Sequence, residues 1–481
     1  MSNKMDWSLE ELIQALPLQH LQTGRGQPLN QSPVGVSIDS RQIQPGEVFV
    51  AIRGERHDGH QFIDEVLQKQ ALAVMVDAGW WQANQERMAD HTVLVVEDTL
   101  TALQTLAHRY RQRIDPKVIG LTGTNGKTTT KELVSRVLAR RYRVHKTPGN
   151  LNNHIGVPLT LLSMPSKTDI AVVEMGTNHF GEIATLCRIA DPDYGLITNI
   201  GRGHTEFLQD LDGVRRAKQE LFDYLADSGT AFVNVDDPMV VKAADAAGVR
   251  RRITYAFEHP ADIRGTELRL DSRGHAHFNV DGNEFMVGVP GLHNAANALA
   301  AVALGLHFRV PEKDMVDALA QPALEVSGRM RVWTLAGRTI IDDSYNANPE
   351  SMRAALEFLQ KIPAGGRKFA VLGDMFELGD LRLQSHQEVL QTAQRLGIDF
   401  VWVTGDAMAE AFREGRFEQK PGFRWFAGHE ELAHELIHGC KRGDVLLIKG
   451  SRGMRMENII RALQSHFHPD PSAQNQEAGH Q

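Results

Sequence analysis

Cysteine is scarce: Cys187 and Cys440 are the only two in a chain of 481 residues. Two thiols cannot staple a chain of this length, which excludes a disulfide scaffold and suits a reducing compartment. Both stand in apolar helical stretches, where a buried small hydrophobe is expected rather than a nucleophile. Long apolar runs are also missing. None reaches the roughly 18 residues that cross a bilayer, so no stable membrane insertion is expected. The opening MSNKMDWSLEELIQAL has no basic segment leading into an apolar one. Ser8 with Glu11 reads there as a helix cap rather than part of a signal peptide. A cytoplasmic monomer is the expectation. Bases are outnumbered by acids, 52 to 60, giving a formal charge of -8. That balance argues against a nucleic-acid partner.

What is present, 42% apolar and 23% charged residues, fits a large soluble globular chain. Single cores stop growing near about 250–300 residues, so the length implies several domains. Residues 1–106 mix short strands at 46–52, 71–76 and 92–96 with helices at 9–16, 61–68 and 101–111. Residues 107–323 alternate strands at 118–121, 170–174, 194–199 and 231–234 with helices, the pattern of a mainly parallel sheet covered on both faces. Antiparallel strands are predicted at 268–270, 275–280 and 284–289, before an alanine-rich helix at 293–306. Residues 324–467 alternate again, with strands at 339–342, 369–372, 400–404 and 445–448. The fold class is α/β throughout, in three domains. The polar tail 468–481, with two prolines, is expected to be disordered.

The sharpest local signal is GLTGTNGKTT, residues 120–129. A buried strand enters a glycine-rich turn and a helix leaves it. Gly123, Thr124, Asn125 and Gly126 bring backbone amides to phosphate oxygens, and the helix start adds more. Lys127 would neutralise the β- and γ-phosphates, while Thr128 would place a hydroxyl on magnesium beside Thr129. Strict spacing wants glycine at Leu121, so the loop is a variant. A merely structural turn would leave the Lys-Thr pair unexplained. Glu174 ends a sheet strand, where a carboxylate serves as a metal ligand or as an ordinary strand-end charge. His204, in NIGRGHTEF, reads equally as a ligand at the same sheet edge or as a turn residue. Lys218, among Arg215, Arg216 and Glu220, reads by composition as part of a solvated face.

Together these motifs resemble the ATP-dependent Mur ligases, the amide-forming enzymes of peptidoglycan precursor synthesis, and the resemblance runs from Ser37 to Met456. It implies a small N-terminal UDP-sugar-binding domain, a central P-loop-type ATP-binding domain and a C-terminal Rossmann-like domain. It turns Lys218, within AKQEL, into a carbamylated lysine that shares magnesium with Thr128, Glu174 and His204. Asn294 and Asn297, in GLHNAAN, fall on the adenine side, where a helix-capping role is equally open. Arg329 matches the arginine that reaches the ATP phosphates, and Asp343 the acidic group near the ribose. Tyr345, Asn346 and Asn348 belong to the SYNANP segment, with Lys449 and Ser451 in the closing KGSR. Ser40 and Arg41 match the nucleotide-sugar side, and Asn152, Asn153 and His154 a substrate-facing loop.

SYNANP and the absence of a DNPR signature point, within the family, to transfer of D-alanyl-D-alanine onto UDP-MurNAc-tripeptide. The implied chemistry uses ATP to turn a carboxylate into an acyl phosphate that an amine then attacks. Another ligase of the superfamily, including a folylpolyglutamate synthase, or a P-loop regulatory ATPase, remains the alternative.

Overall fold

Three α/β units follow one another along the chain, each built on its own sheet. The computed structural model describes residues 7–24, 28–54, 57–203, 205–322 and 328–467. His204, the expected boundary at 323/324 and the expected disordered tail 468–481 lie outside the described residues.

The first sheet has five strands, in the spatial order His20–Gln22, Val93–Val96, Ala73–Asp77, Val48–Val50 and Val36–Ser37. Only the first pairing is antiparallel. The opening helix, Leu9–Gln14, is closed by a reciprocal Ser8–Glu11 capping box. From the first unit the chain passes into the second through helix α1, Thr99–Ile114. Asp98 caps it by accepting from the Thr101 amide at 2.7 Å. Leu103, Leu106 and Tyr110 on α1 are buried in one apolar cluster that contains Val48 and Met75 of the first sheet and Ala171 and Val173 of the second. Arg111, also buried, donates to the Ala190 and Asp191 carbonyls at 3.1 and 2.8 Å. The expected boundary at 106/107 thus falls within a helix that belongs to both cores.

Seven parallel strands form the central sheet. Strand β1, Lys117–Thr122, leads into helix α2, Lys127–Leu138. The chain then moves outward to Val144–Lys146 and returns to β2, Ile170–Glu174, beside β1. It next crosses to β3, Tyr194–Ile197, on the other side of β1. Strand order therefore reverses at β1, and loops diverge there to leave a crevice at the carboxyl edge. Helix α3, Leu211–Leu225, follows. The expected three antiparallel strands form a separate small sheet, Thr266–Leu270, His275–Val280 and Asn283–Pro290. Helix α4, His293–His307, then packs on α2. Its buried alanines, among them Ala298, Ala301 and Ala303, let the two backbones approach closely.

The third sheet has six strands, parallel except for the hairpin of Arg331–Leu335 with β4, Arg338–Asp343. Asn348 caps helix α5, Pro349–Lys361, by accepting from the Ser351 amide at 2.9 Å. Strand β5, Val445–Lys449, lies in register beside β4, so that Asp343 and Lys449 end the two strands side by side. Cys187 and Cys440 are both buried. Among the described residues no helix is long and apolar enough to cross a membrane.

Candidate active site

A turn with left-handed backbone joins β1 to α2. Gly126 sits at φ 78°, and a Cβ there would lie 2.6 Å from Asn297 Oδ1. A Cβ on Gly123 would meet Thr198 Oγ1 at 1.9 Å. The turn is braced from β3: Thr198 Oγ1 and Asn199 Nδ2 donate to the Asn125 carbonyl at 2.6 and 2.9 Å. The Thr124 and Asn125 amides in turn donate to Asn199. Gly126, just before helix α2, offers no side-chain cap, so the first amides of the helix are available to an anion.

Lys127 Nζ donates to the Gly123 and Thr124 carbonyls at 2.7 and 3.2 Å. Burial pushes its amine down to about 8; Glu174 opposes that shift and the Arg329 guanidinium adds to it. On the next residue, Thr128 Oγ1 donates to Glu174 Oε1 at 3.2 Å. Asn152 Nδ2 donates to the same oxygen at 2.9 Å. Glu174 Oε2 is buried without a hydrogen bond. A hydroxyl and a carboxylate with an uncommitted oxygen, side by side at a helix N-terminus, are hard oxygen donors of the kind magnesium takes. Among the described residues, no group of three His, Cys, Asp or Glu side chains gathers into a metal site.

Lys218 is buried on α3 and makes no hydrogen bond or ion pair among the described residues. Burial, with repulsion from Lys127, holds its amine well below the ordinary lysine range. The surface-face reading of Lys218 is therefore excluded. Asn294 and Asn297 are buried as well: Asn294 Nδ2 donates to the Pro290 carbonyl at 2.7 Å, and Asn297 Nδ2 to Asn294 Oδ1 at 2.9 Å. They secure the start of α4 directly beneath the phosphate turn.

Across the crevice stands the third unit. The Arg329 guanidinium lies over the Tyr345 ring, 4.1 Å from its centroid, and its Nε is buried without a hydrogen bond. Lys449 Nζ pairs with Asp343 and donates to the Asn346 carbonyl at 3.0 Å. Ser451 Oγ accepts from the Phe376 amide at 2.8 Å, behind this layer. Asn348 reaches back to Asn125 of the phosphate turn. The cleft between these units holds a cavity of about 760 Å³ that is open to solvent. Thr124, Asn125, Gly126, Lys127 and Thr129 line one wall, with Asn294 and Asn297 beside them. Glu174, Asn152, Asn153 and His154 line another, and Arg329, Asp343, Tyr345, Asn346, Asn348 and Lys449 close the third. Gly123, Thr128, Lys218 and Ser451 sit behind these walls.

Ser40 and Arg41 lie elsewhere, on the first unit. Arg41 forms a forked pair with Asp39 at 2.8 and 2.7 Å, which lowers that carboxyl to about 2. Ser40 is buried, and its carbonyl accepts from Lys69 Nζ at 2.7 Å. Several contributors had not stood out in the sequence: Thr198 and Asn199 behind the turn, Glu350 at the start of α5, and Lys131 on α2. Lys131 did leave a trace, since it follows Lys127 by four residues and so shares its helix face.

A phosphate turn at a sheet switch point, faced by an arginine and a lysine–aspartate pair from another α/β unit, defines an enzyme that handles nucleotide phosphates between domains. Its family follows from three matches: residues 34–111 to the Mur ligase family catalytic domain, 121–305 to the Mur ligase middle domain and 328–452 to the Mur ligase glutamate ligase domain. The chain belongs to the Mur ligase family. It is 38% identical to the UDP-N-acetylmuramoyl-tripeptide–D-alanyl-D-alanine ligase of Bacillus subtilis, over 89% of this chain and 93% of that protein. The enzyme of that name from Escherichia coli is 35% identical, over 90% and 94%. Among solved structures, a MurF from Acinetobacter baumannii superposes with a TM-score of 0.85 at 31% identity, covering 96% of this chain and 100% of that one. MurF from Thermotoga maritima, in complex with ADP, gives 0.76 at 30% identity, covering 90% and 97%.

Proposed function

We propose that the protein joins D-alanyl-D-alanine to UDP-MurNAc-tripeptide at the expense of ATP, completing the pentapeptide precursor of peptidoglycan. One observation carries this reading: the phosphate turn and the SYNANP segment meet through Asn125 and Asn348 on a single cavity. A hydrolytic switch would need only the turn. Lys127, Arg329 and the amides that open α2 hold the phosphates and offset charge as the γ-phosphoryl group moves to the tripeptide carboxylate. The dipeptide amine then attacks the activated carbonyl and phosphate leaves, so no enzyme nucleophile is required. Tyr345 stacks behind Arg329 and fixes its plane. The third unit caps the cavity and limits water, which would otherwise consume the acyl phosphate.

Magnesium would be held by Thr128 and Glu174, joined by His204 and by Lys218 as its carbamate. It supplies charge neutralisation at the transferred phosphoryl oxygens. Carbamylation needs an uncharged amine, which the buried setting of Lys218 favours. Ser40 and Arg41 hold the nucleotide-sugar end, while Asn152, Asn153 and His154 face the peptide.

The test is to incubate the protein with ATP, magnesium, UDP-MurNAc-tripeptide and D-alanyl-D-alanine, following phosphate release and product mass. The expected result is pentapeptide formed in step with phosphate. Phosphate release that ignores the dipeptide, with no pentapeptide, overturns the reading.

A further inference from the structure

Lys131 is a fully buried ammonium that takes no part in the chemistry above. Two of its three N–H groups are spent on the far side of the sheet edge, on the carbonyls of Thr147 at 2.7 Å and Gly149 at 3.1 Å. It also lies 3.6 Å from Glu174 Oε2, the buried oxygen that has no hydrogen bond, and 3.5 Å from Glu132 Oε1. Glu132 has a second cation, Lys146, so it does not by itself require Lys131.

The same segment that Lys131 grips is bound to Glu174 twice more. Thr147 Oγ1 accepts from the Glu174 amide at 2.9 Å, and Asn152 donates to Oε1 at 2.9 Å. Thus the two carboxylate oxygens of Glu174 face different partners: Oε1 faces Thr128 and Asn152, while Oε2 faces Lys131. A shift of residues 147–152 moves Asn152 and the Lys131 ammonium together, and both act on one carboxylate.

We infer that Lys131 is a positioning residue that couples the peptide-facing segment 147–153 to the metal carboxylate Glu174, so that the sugar-peptide substrate and the metal tighten each other's binding. This rests on the ligase reading above and adds a thermodynamic linkage to it. Each ligand orders groups that the other also needs, and such coupling is reciprocal.

The experiment measures Mn2+ binding to the full-length protein with ADP present, by electron paramagnetic resonance, with and without UDP-MurNAc-tripeptide. Pentapeptide formation by the wild type is checked first. The wild type is expected to bind Mn2+ about fivefold or more tightly when the sugar-peptide is present, and Lys131→Gln less than about twofold more tightly. Glutamine can still donate to a loop carbonyl but carries no charge to face Glu174. Should Lys131→Gln fail to fold by circular dichroism, Lys131→Gln/Glu132→Gln, which removes a buried carboxylate along with the ammonium, takes its place. An equal factor in variant and wild type, or no enhancement in an active wild type, overturns the inference and leaves the ligase reading standing. A wild type that makes no pentapeptide overturns both.

Discussion

Asn125 and Asn348, 223 positions apart, exchange two side-chain hydrogen bonds across the cleft, at 3.2 and 2.9 Å. Asn348 uses the same Oδ1 to cap α5. The phosphate turn is therefore tied to the helix start that carries SYNANP. A neutral hydrogen bond contributes about 1 kcal/mol net, so the pair contributes about 1–2 kcal/mol. A double-mutant cycle with Asn125→Ala and Asn348→Ala is expected to give that coupling in kcat/KM for ATP. The cycle is needed because Asn348→Ala alone also removes a cap. Strictly additive losses would show that turnover does not use the contact.

Lys127 links nucleotide binding to protons. Its amine sits near about 8 in the free protein, and polyphosphate oxygens favour the charged form. Binding of a non-hydrolysable ATP analogue at a pH of about 8.5 should therefore take up a fraction of a proton, and at about 6 none. Calorimetry in buffers of different ionisation heat measures this, and Lys127→Met should abolish it. The sign for stability follows from the same depression. From about 8 towards 10.5 the unfolded chain keeps a proton that the folded one has lost, so this group makes the unliganded protein more stable as pH rises.

Lys218→Ala is expected to lose essentially all ligase activity while retaining its fold, and to recover part of it with formate or acetate. The wild type should lose activity in carbon-dioxide-free buffer and regain it with bicarbonate. A carbamate carbon signal in the wild type labelled with 13C-bicarbonate, absent from Lys218→Ala, would identify the modified amine directly. Full activity without carbon dioxide would remove the carbamate from the mechanism.

Gly126→Ala combines an unfavourable φ of 78° with a Cβ placed 2.6 Å from Asn297 Oδ1. The backbone cost is roughly 1 kcal/mol, but the displaced turn should cost far more in phosphate binding. ATP affinity is expected to fall at least about tenfold, which corresponds to roughly 1.4 kcal/mol, with the circular dichroism spectrum unchanged. Gly126→Ala/Asn297→Ala relieves the clash but not the φ, so it should recover only part of the loss.

Buried parallel strands were legible because burial on both faces writes a continuous apolar run: 118–121, 170–174 and 445–448 all lie within observed strands. Strands at or near sheet margins were not. Val144–Lys146 is half-buried throughout, Arg251–Ala256 opens with two arginines, and Phe423–Phe426 buries only its two ends, leaving Arg424 and Trp425 exposed. Their pairing is imposed by neighbours rather than by their own composition. The phosphate turn was readable because its chemistry is local in the chain. Lys218 was not readable from composition, since its arginine and glutamate neighbours suggest solvent while α3 turns it towards the sheet. The Asn125–Asn348 contact and the bracing by Asn199 depend on where distant loops land.

Among the described residues, the apolar cluster shared by the first two sheets through α1 has no counterpart at the third unit, whose two clusters draw only on residues from 330 onwards. The molecule therefore has a continuous apolar joint between its first two units, while the third meets the phosphate turn through polar contacts such as Asn125–Asn348. Under the proposed function, that joint would set the span from Ser40 and Arg41 to the phosphate turn, and with it the length of a ligand held at both ends. A sugar-peptide one residue too short would leave its carboxylate shy of Lys127, however firmly its far end were gripped. Length discrimination would then be a property of a hydrophobic joint, set well away from the reacting atoms.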